Sequence, residues 1–537
     1  MNNLTETESP AFELIELVFK DGGYKIGKLP EYITNDVSLE PSLTLDFMDC
    51  LTAWDHPLES DKTKALFSLL DECFYVVRCG VDRNDKSCLT VKALIERFLD
   101  ENWARIPSHV HGPLNQTIYD SKLDLNINIS PLEESEALSN SVDIHPQLPE
   151  LLEKLRREKI FKTCFELFEL IVSQTQMMSI EIQLGLIAEL ACSKKPITHE
   201  VAVLMLLHPK ENIRKHVAKI LKGLADRKVF TPVDLRRLIT IRNWVPPEER
   251  SDIDSLIKDL RRTKLSTAQY SPAKIVKLVG SSMDGAGACC FMLETKKTSQ
   301  RQAAGFLVKL GVGIREPWVE NKAPKSAIDN ILKNQEEMNN SVPMKSVSRA
   351  YVNKIVRHFI HVTVTNGNVP DPLFLQIAEM LSADNWQAEE INISEEVSRL
   401  QEKYQSSRDA QDIKEALNKK PSSMFDDKID DTWFEAGDIA RDIICKGIDA
   451  HKQSQNEQSL ERITTNLLMD ECLNKWQIIF LITCLWMRTI KIDSRAFDLY
   501  AVLYSLENGV MPSDVSLLRY VTAKTAASAA RVASMLD

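Results

Sequence analysis

The chain has 537 residues, enough for two to four domains that each bury a core. Its 44% hydrophobic and 27% charged content is that of an ordinary globular protein, and only 17 glycines disfavour a sheet-rich fold with many tight turns. A net charge of −11 excludes a protein that coats nucleic acid with its whole surface, but leaves room for a local basic groove.

Eleven cysteines are scattered without framework spacing, and Cys164, Cys445 and Cys484 fall inside apolar helical patterns. They read as small buried residues of a reducing compartment. The first ten residues are polar and acidic, unlike a secretory leader. The longest mainly apolar run, Trp476–Met487, is too short to span a bilayer. The expectation is a cytoplasmic protein away from the membrane.

Residues 1–106 read as an N-terminal helical domain. Ala11–Phe19 is a short helix or strand ended by Gly22-Gly23, followed by helices over Leu43–Leu51, Lys62–Arg78 and Val91–Trp103. In the second helix, Leu66, Leu69, Leu70, Phe74 and Val77 form the core face. Residues 107–146 are a polar linker, with one short strand where Leu123, Leu125, Ile127 and Ile129 alternate with polar residues.

Residues 147–265 read as a helical array. Leu148–Arg157, Phe161–Ser173 and Ser179–Cys192 lead into four short helices. Thr198 would cap the first, which Pro209 ends. The second starts near Glu211 and buries Ile213, Val217, Ile220, Leu221 and Leu224. Thr231 caps the third, with Pro232 at its first position and Leu235, Leu238 and Ile241 inside. Pro246-Pro247 opens the fourth, with Ile253, Ile257 and Leu260. The segment Leu204–Leu224 joins an apolar helix, a proline-marked turn and a helix with a basic residue near its start, and so resembles a HEAT repeat. The resemblance implies a helical scaffold, in some members with a basic inner surface for nucleic acid.

Lys210–Lys264 holds fifteen Lys/Arg against eight Asp/Glu, a net +7 within an acidic chain. That is either an electrostatic footprint or a solvated surface with ion pairs such as Asp254 with Lys258. The candidate contacts for an acidic partner are Arg214, Lys215, Lys219, Arg236, Arg237, Arg242, Arg261 and Arg262.

The pattern changes over residues 266–320. Apolar runs Ile275–Val279, Ala288–Glu294 and Ala303–Leu310, separated by Asp284-Gly285, Gly287, Gly311 and Gly313, predict a small β module from about 272 to 320. Residues 321–425 are a helical segment, with helices at Ser346–Thr363 and from Pro372 to near Ala383, then a charged exposed helix and linker. Residues 426–537 form a C-terminal helical bundle around an all-round apolar helix, Lys475–Ile490.

Asp284-Gly285-Ala286-Gly287 lacks the third glycine of a dinucleotide loop and the Gly-Lys-Ser/Thr of a triphosphate loop, so it reads as a β-turn. Asp284 followed by Glu294-Thr295-Lys296 resembles the Asp…Glu-x-Lys pattern of restriction-type nucleases, which implies Mg²⁺ held by Asp284 and Glu294 and a water-orienting Lys296. Cys289-Cys290, His109-x-His111 and His358-x-x-His361 lack metal-site spacing. Trp433, Trp476 and Trp486 read as core anchors.

The sequence therefore predicts a mainly α protein: a HEAT-like α-solenoid with a small β module and a C-terminal bundle. Its leading function is non-enzymatic binding or scaffolding in the cytoplasm, with a basic face for an acidic protein or nucleic acid and no cofactor. The alternative is a Mg²⁺-dependent nuclease using Asp284, Glu294 and Lys296.

Overall fold

The structure, a computed structural model, describes residues 14–15, 43–83, 85–125, 127, 161–176, 178–193, 195–270, 273–337, 343–383, 385–419, 430–453 and 459–536. The expected helix over Leu148–Arg157, the turn at Gly22-Gly23 and most of Ala11–Phe19 lie outside these residues, as does Ile129. The chain divides into two units, Met1–Met205 and Leu206–Asp537.

In the first unit, helices α1 (Leu43–Leu51), α2 (Asp61–Val81), α3 (Lys86–Asn102) and α4 (Ser108–Ser121) pack around Phe47, Leu66, Leu69, Leu70, Phe74, Ile95 and Leu114. Ser60 caps α2 by accepting from the Thr63 amide, and Asp85 caps α3. The segment expected to be polar linker thus opens with a helix. Its apolar residues Val110, Leu114 and Ile118 recur at helical spacing, and Pro113 is absorbed inside it. Leu123, Leu125 and Ile127 are buried as their alternation implied, but form no strand. Helices α5 (Cys164–Thr175), α6 (Ile180–Cys192) and α7 (Pro196–Leu204) follow. Helix α7 starts at Pro196, so Thr198 lies inside it and donates to the Lys195 carbonyl instead of capping.

In the second unit, α8 (Glu211–Gly223) and α9 (Pro232–Arg242) both pack on α10 (Arg250–Arg262). Thr231 and Asp234 form a reciprocal capping box at the start of α9. A five-stranded antiparallel sheet follows, in the order β4-β3-β2-β1-β5: β1 Lys274–Ser281, β2 Ala288–Lys297, β3 Gln300–Lys309, β4 Gly313–Glu320 and β5 Met344–Ser346. The fifth strand lies beyond the expected module, since three residues are too short to announce themselves by alternation.

One face of the sheet meets α11 (Ala327–Glu337) through Val279, Met292, Ala303 and Ile328. On that face Gly305 lies under Trp318, whose indole occupies the space a Cβ would need. Against the sheet also pack α12 (Arg349–Thr365) and α13 (Pro372–Leu381), joined by contacts of Phe291 with Tyr351 and of Phe306 with Phe374 and Trp386.

The charged segment after Ile393 folds into α14 (Ile393–Tyr404) and α15 (Ala410–Asn418). Both pack on the C-terminal helices, with Val397, Leu400 and Tyr404 buried. Those helices are α16 (Gly437–Gln453), α17 (Leu460–Thr489), α18 (Asp493–Glu507) and α19 (Ser516–Leu536). Helix α17 is central, with Trp476, Ile479, Phe480, Cys484 and Trp486 fully buried.

Candidate anion-binding surface

The eight basic residues singled out from the sequence divide by burial. Arg214 is 2% exposed and grips Glu249 with two prongs, Nε to Oε2 at 2.8 Å and Nη2 to Oε1 at 2.6 Å. It also donates to the carbonyls of His208, Pro209 and Gly367. Arg236 and Arg237 converge on Glu379 of α13 at 2.8 and 2.9 Å. Burial alone would push the Glu379 carboxyl up, but the two guanidiniums outweigh it and hold the group below its usual range. These three arginines are internal struts, and their charge is spent inside the fold.

The others face solvent. Lys215 bonds Glu211, Arg242 takes Asp254 at 2.8 Å, and Arg262 takes Asp259 at 3.0 Å. Asp254 thus bonds across helices to Arg242, instead of to Lys258 as the spacing suggested. Lys219 and Arg261 are exposed and have no ion-pair partner among the described residues. On α8, Lys215, Lys219 and Lys222 follow one exposed stripe at helical spacing. On α10, Lys258 and Arg261 share another with Asp254. Lys222 bonds Asp252 of α10 at 2.8 Å, which brings the two helices together.

The nuclease residues are not brought together. The Asp284 side chain accepts from the Ala288 amide at 2.7 Å, so it closes the β1–β2 turn. Glu294 is six residues further along β2, about 20 Å away at the rise of an extended strand. Glu294 is 2% exposed and paired with Arg301. Lys296 shares its strand face but is exposed. This donor set does not fit a shared Mg²⁺. Among the described residues no group of three His, Cys, Asp or Glu is placed to hold a metal ion.

The glycines of the Asp284–Gly287 turn have a packing role. A Cβ on Gly285 would fall 2.0 Å from the Thr432 carbonyl oxygen, and Gly287 has φ +77°. Trp433, beside Thr432, is fully buried and donates to the Met283 carbonyl at 3.0 Å. Cys445, expected to be buried, is exposed, whereas Cys164 and Cys484 are buried. None of the eleven cysteines is joined to another in a disulfide.

Sequence reasoning missed the acids that consume Arg214, Arg236 and Arg237, since Glu379 lies over 130 residues away in the chain. It also missed Lys274 and Arg301, which lie directly opposite Lys296 on β1 and β3. A signal existed for Arg301: a two-residue turn at Thr298-Ser299 sets that register, with Thr298 at φ +53°.

Residues 179–264 match the Y4lR second domain, and residues 394–530 match the Y4lR C-terminal helical domain. An uncharacterized protein named y4lR, from Sinorhizobium fredii (strain NBRC 101917 / NGR234), is 23% identical over 372 residues, which cover 67% of this chain and 68% of that protein. No solved structure matches. These matches correct the HEAT resemblance: its segment falls within the Y4lR second domain, and no HEAT family matches. An apolar helix, a proline turn and a basic helix describe any packed helical pair, and here the basic residue Arg214 is a buried strut. The C-terminal match starts at 394, so α15 and all but the first residue of α14 fall within it.

Proposed function

We propose that this chain is a non-enzymatic cytoplasmic binding protein that engages an acidic partner through the surface built by α8, α9 and α10. The observation that carries the reading is the charge left outside the buried struts. Once the buried Arg214, Arg237, Glu249 and Asp234 and the Glu379-paired Arg236 are set aside, twelve basic side chains remain against six acidic ones over Lys210–Lys264. Lys215, Lys219 and Lys222 stand on one stripe of α8. A local cationic surface on an acidic protein raises the concentration of acidic ligands while the rest of the chain repels them. Eleven cysteines outside any disulfide accord with a reducing compartment. No described helix is long and apolar enough to cross a membrane.

The test is binding of the full chain to fluorescent polyglutamate and to labelled single-stranded and duplex nucleic acid. The triple variant Lys215→Gln/Lys219→Gln/Lys222→Gln should weaken binding of at least one of these polyanions about tenfold or more near 0.1 M salt. Equal binding of both proteins to every probe would overturn the role of this surface.

A further inference from the structure

At the hairpin end of the sheet, basic residues line up across the strands. The register places Lys274 of β1 opposite Lys296 of β2, and Lys296 opposite Arg301 of β3. The chain returns to this end of the sheet after β4. Ala303 pairs with Glu320, the Ala323 amide donates to the Arg301 carbonyl at 3.0 Å, and Asn321 accepts from Gln300 and Gln302. That amide bond sets Ala323 against Arg301, and Lys322 adjoins it in the chain. Lys274, Lys296 and Arg301 thus occupy one line across the sheet, where paired residues share a face, with Lys322 beside its end.

Like charges directly opposite one another destabilise a sheet. Only one of the three is relieved, because Arg301 pairs with the buried Glu294. Lys274, Lys296 and Lys322 are exposed and have no ion-pair partner among the described residues, and Lys297 and Lys325 extend the patch. The fold therefore holds a concentrated cation row that its own acids do not neutralise.

We propose that this row is a binding site for the phosphate backbone of nucleic acid. Adjacent strands are about 4.8 Å apart, so the lysines form a closely spaced track instead of isolated charges. A backbone with one charge per nucleotide suits such a track. Among the described residues of the patch, Val276 is the exposed large apolar one, at 43%, which is little with which to seat an anchor side chain of a bound peptide. The site stands on different residues from the α8 stripe, so either can fail alone. The proposal nonetheless rests on the reading of the chain as a polyanion binder.

The test uses the full chain and labelled 20-nucleotide single-stranded and duplex DNA and RNA, by fluorescence anisotropy across a salt series. Polyglutamate and anionic phosphatidylglycerol vesicles serve as competitors. Lys274→Gln/Lys296→Gln/Lys322→Gln removes charge at exposed positions, and its circular dichroism and melting curve should match the parent. The expected result is a loss of nucleic-acid affinity of tenfold or more near 0.1 M salt. The slope of log K against log salt should fall by about 2 to 3, at roughly 0.7–0.9 per phosphate contact. Unchanged affinity and slope would overturn the site, as would parent protein that binds no nucleic acid. Stronger competition by polyglutamate or by vesicles than by unlabelled nucleic acid would overturn the choice of ligand. If only the α8 triple variant loses nucleic-acid binding, this site fails while the proposed function stands.

Discussion

Arg214 and Glu249 meet as a buried two-pronged ion pair that ties α8 to the start of α10, with both side chains 3% exposed or less. Breaking such a pair from one side leaves an uncompensated charge in the interior. Arg214→Leu or Glu249→Gln should therefore cost about 3–5 kcal/mol in urea unfolding. Lys215→Gln, on the exposed stripe one residue away, should stay within about 0.5 kcal/mol of the parent. Similar small effects for both would refute the strut assignment.

Glu379 holds two guanidiniums at once, those of Arg236 and Arg237. Glu379→Gln should lower Tm by several degrees. Arg236→Glu/Arg237→Glu should lower it further, because three carboxylates would then converge. A Tm equal to the parent's, with polyanion binding lost, would return these arginines to the binding surface.

Two buried histidines make stability depend on acid. Burial pushes His208 down to about 3 and His358 down to about 4. His208 Nδ1 accepts from the Lys210 amide, and His358 Nδ1 accepts from the Ile391 amide. Both must stay neutral in the folded state, whereas the unfolded chain takes up their protons near 6.5. Their contribution is complete above pH 6.5 and is lost as pH falls toward 4, at about 1.4 kcal/mol per pH unit for each. Melts from pH 7.5 to 4.5 should show Tm falling below pH 6.5, and His358→Gln should flatten that fall.

Gly285 leaves no room for a methyl group beside the Thr432 carbonyl. Gly285→Ala should cost about 1–3 kcal/mol through displacement of the segment that carries Trp433. Chemical denaturation followed by tryptophan fluorescence reads it. An undiminished midpoint would mean that the 430–434 segment does not pack on this turn.

Glu294 is buried in an ion pair with Arg301. Glu294→Gln should lower stability by the same amount with and without 10 mM Mg²⁺ (about a physiological excess). A Mg²⁺-dependent rise in the parent's Tm that the variant lacks would revive the metal reading.

Periodicity made much of the fold legible. Helices α8, α9 and α10 lie where their apolar spacing put them, Thr231 caps α9 as expected, and the β module holds four of the five strands. Long-range pairing stayed invisible. Arg214 and Lys219 look alike as letters on one amphipathic helix, and only Glu249 and the carbonyls around Arg214 separate a strut from a surface cation. The same holds for the sheet. Glu294 and Lys296 read as a catalytic pattern until the hairpin register brings Arg301 beside them. The expected linker at 107–146 missed α4 because Pro113 and the polar residues around it outweighed the spacing of Val110, Leu114 and Ile118.

The most direct test of the central claim is the salt dependence of binding by the parent chain to single-stranded nucleic acid and to polyglutamate. A binder that uses several surface cations should show log K falling linearly with log salt, with a slope of about −2 or steeper for at least one probe. No binding to either probe at low salt, or affinity independent of salt, would contradict it.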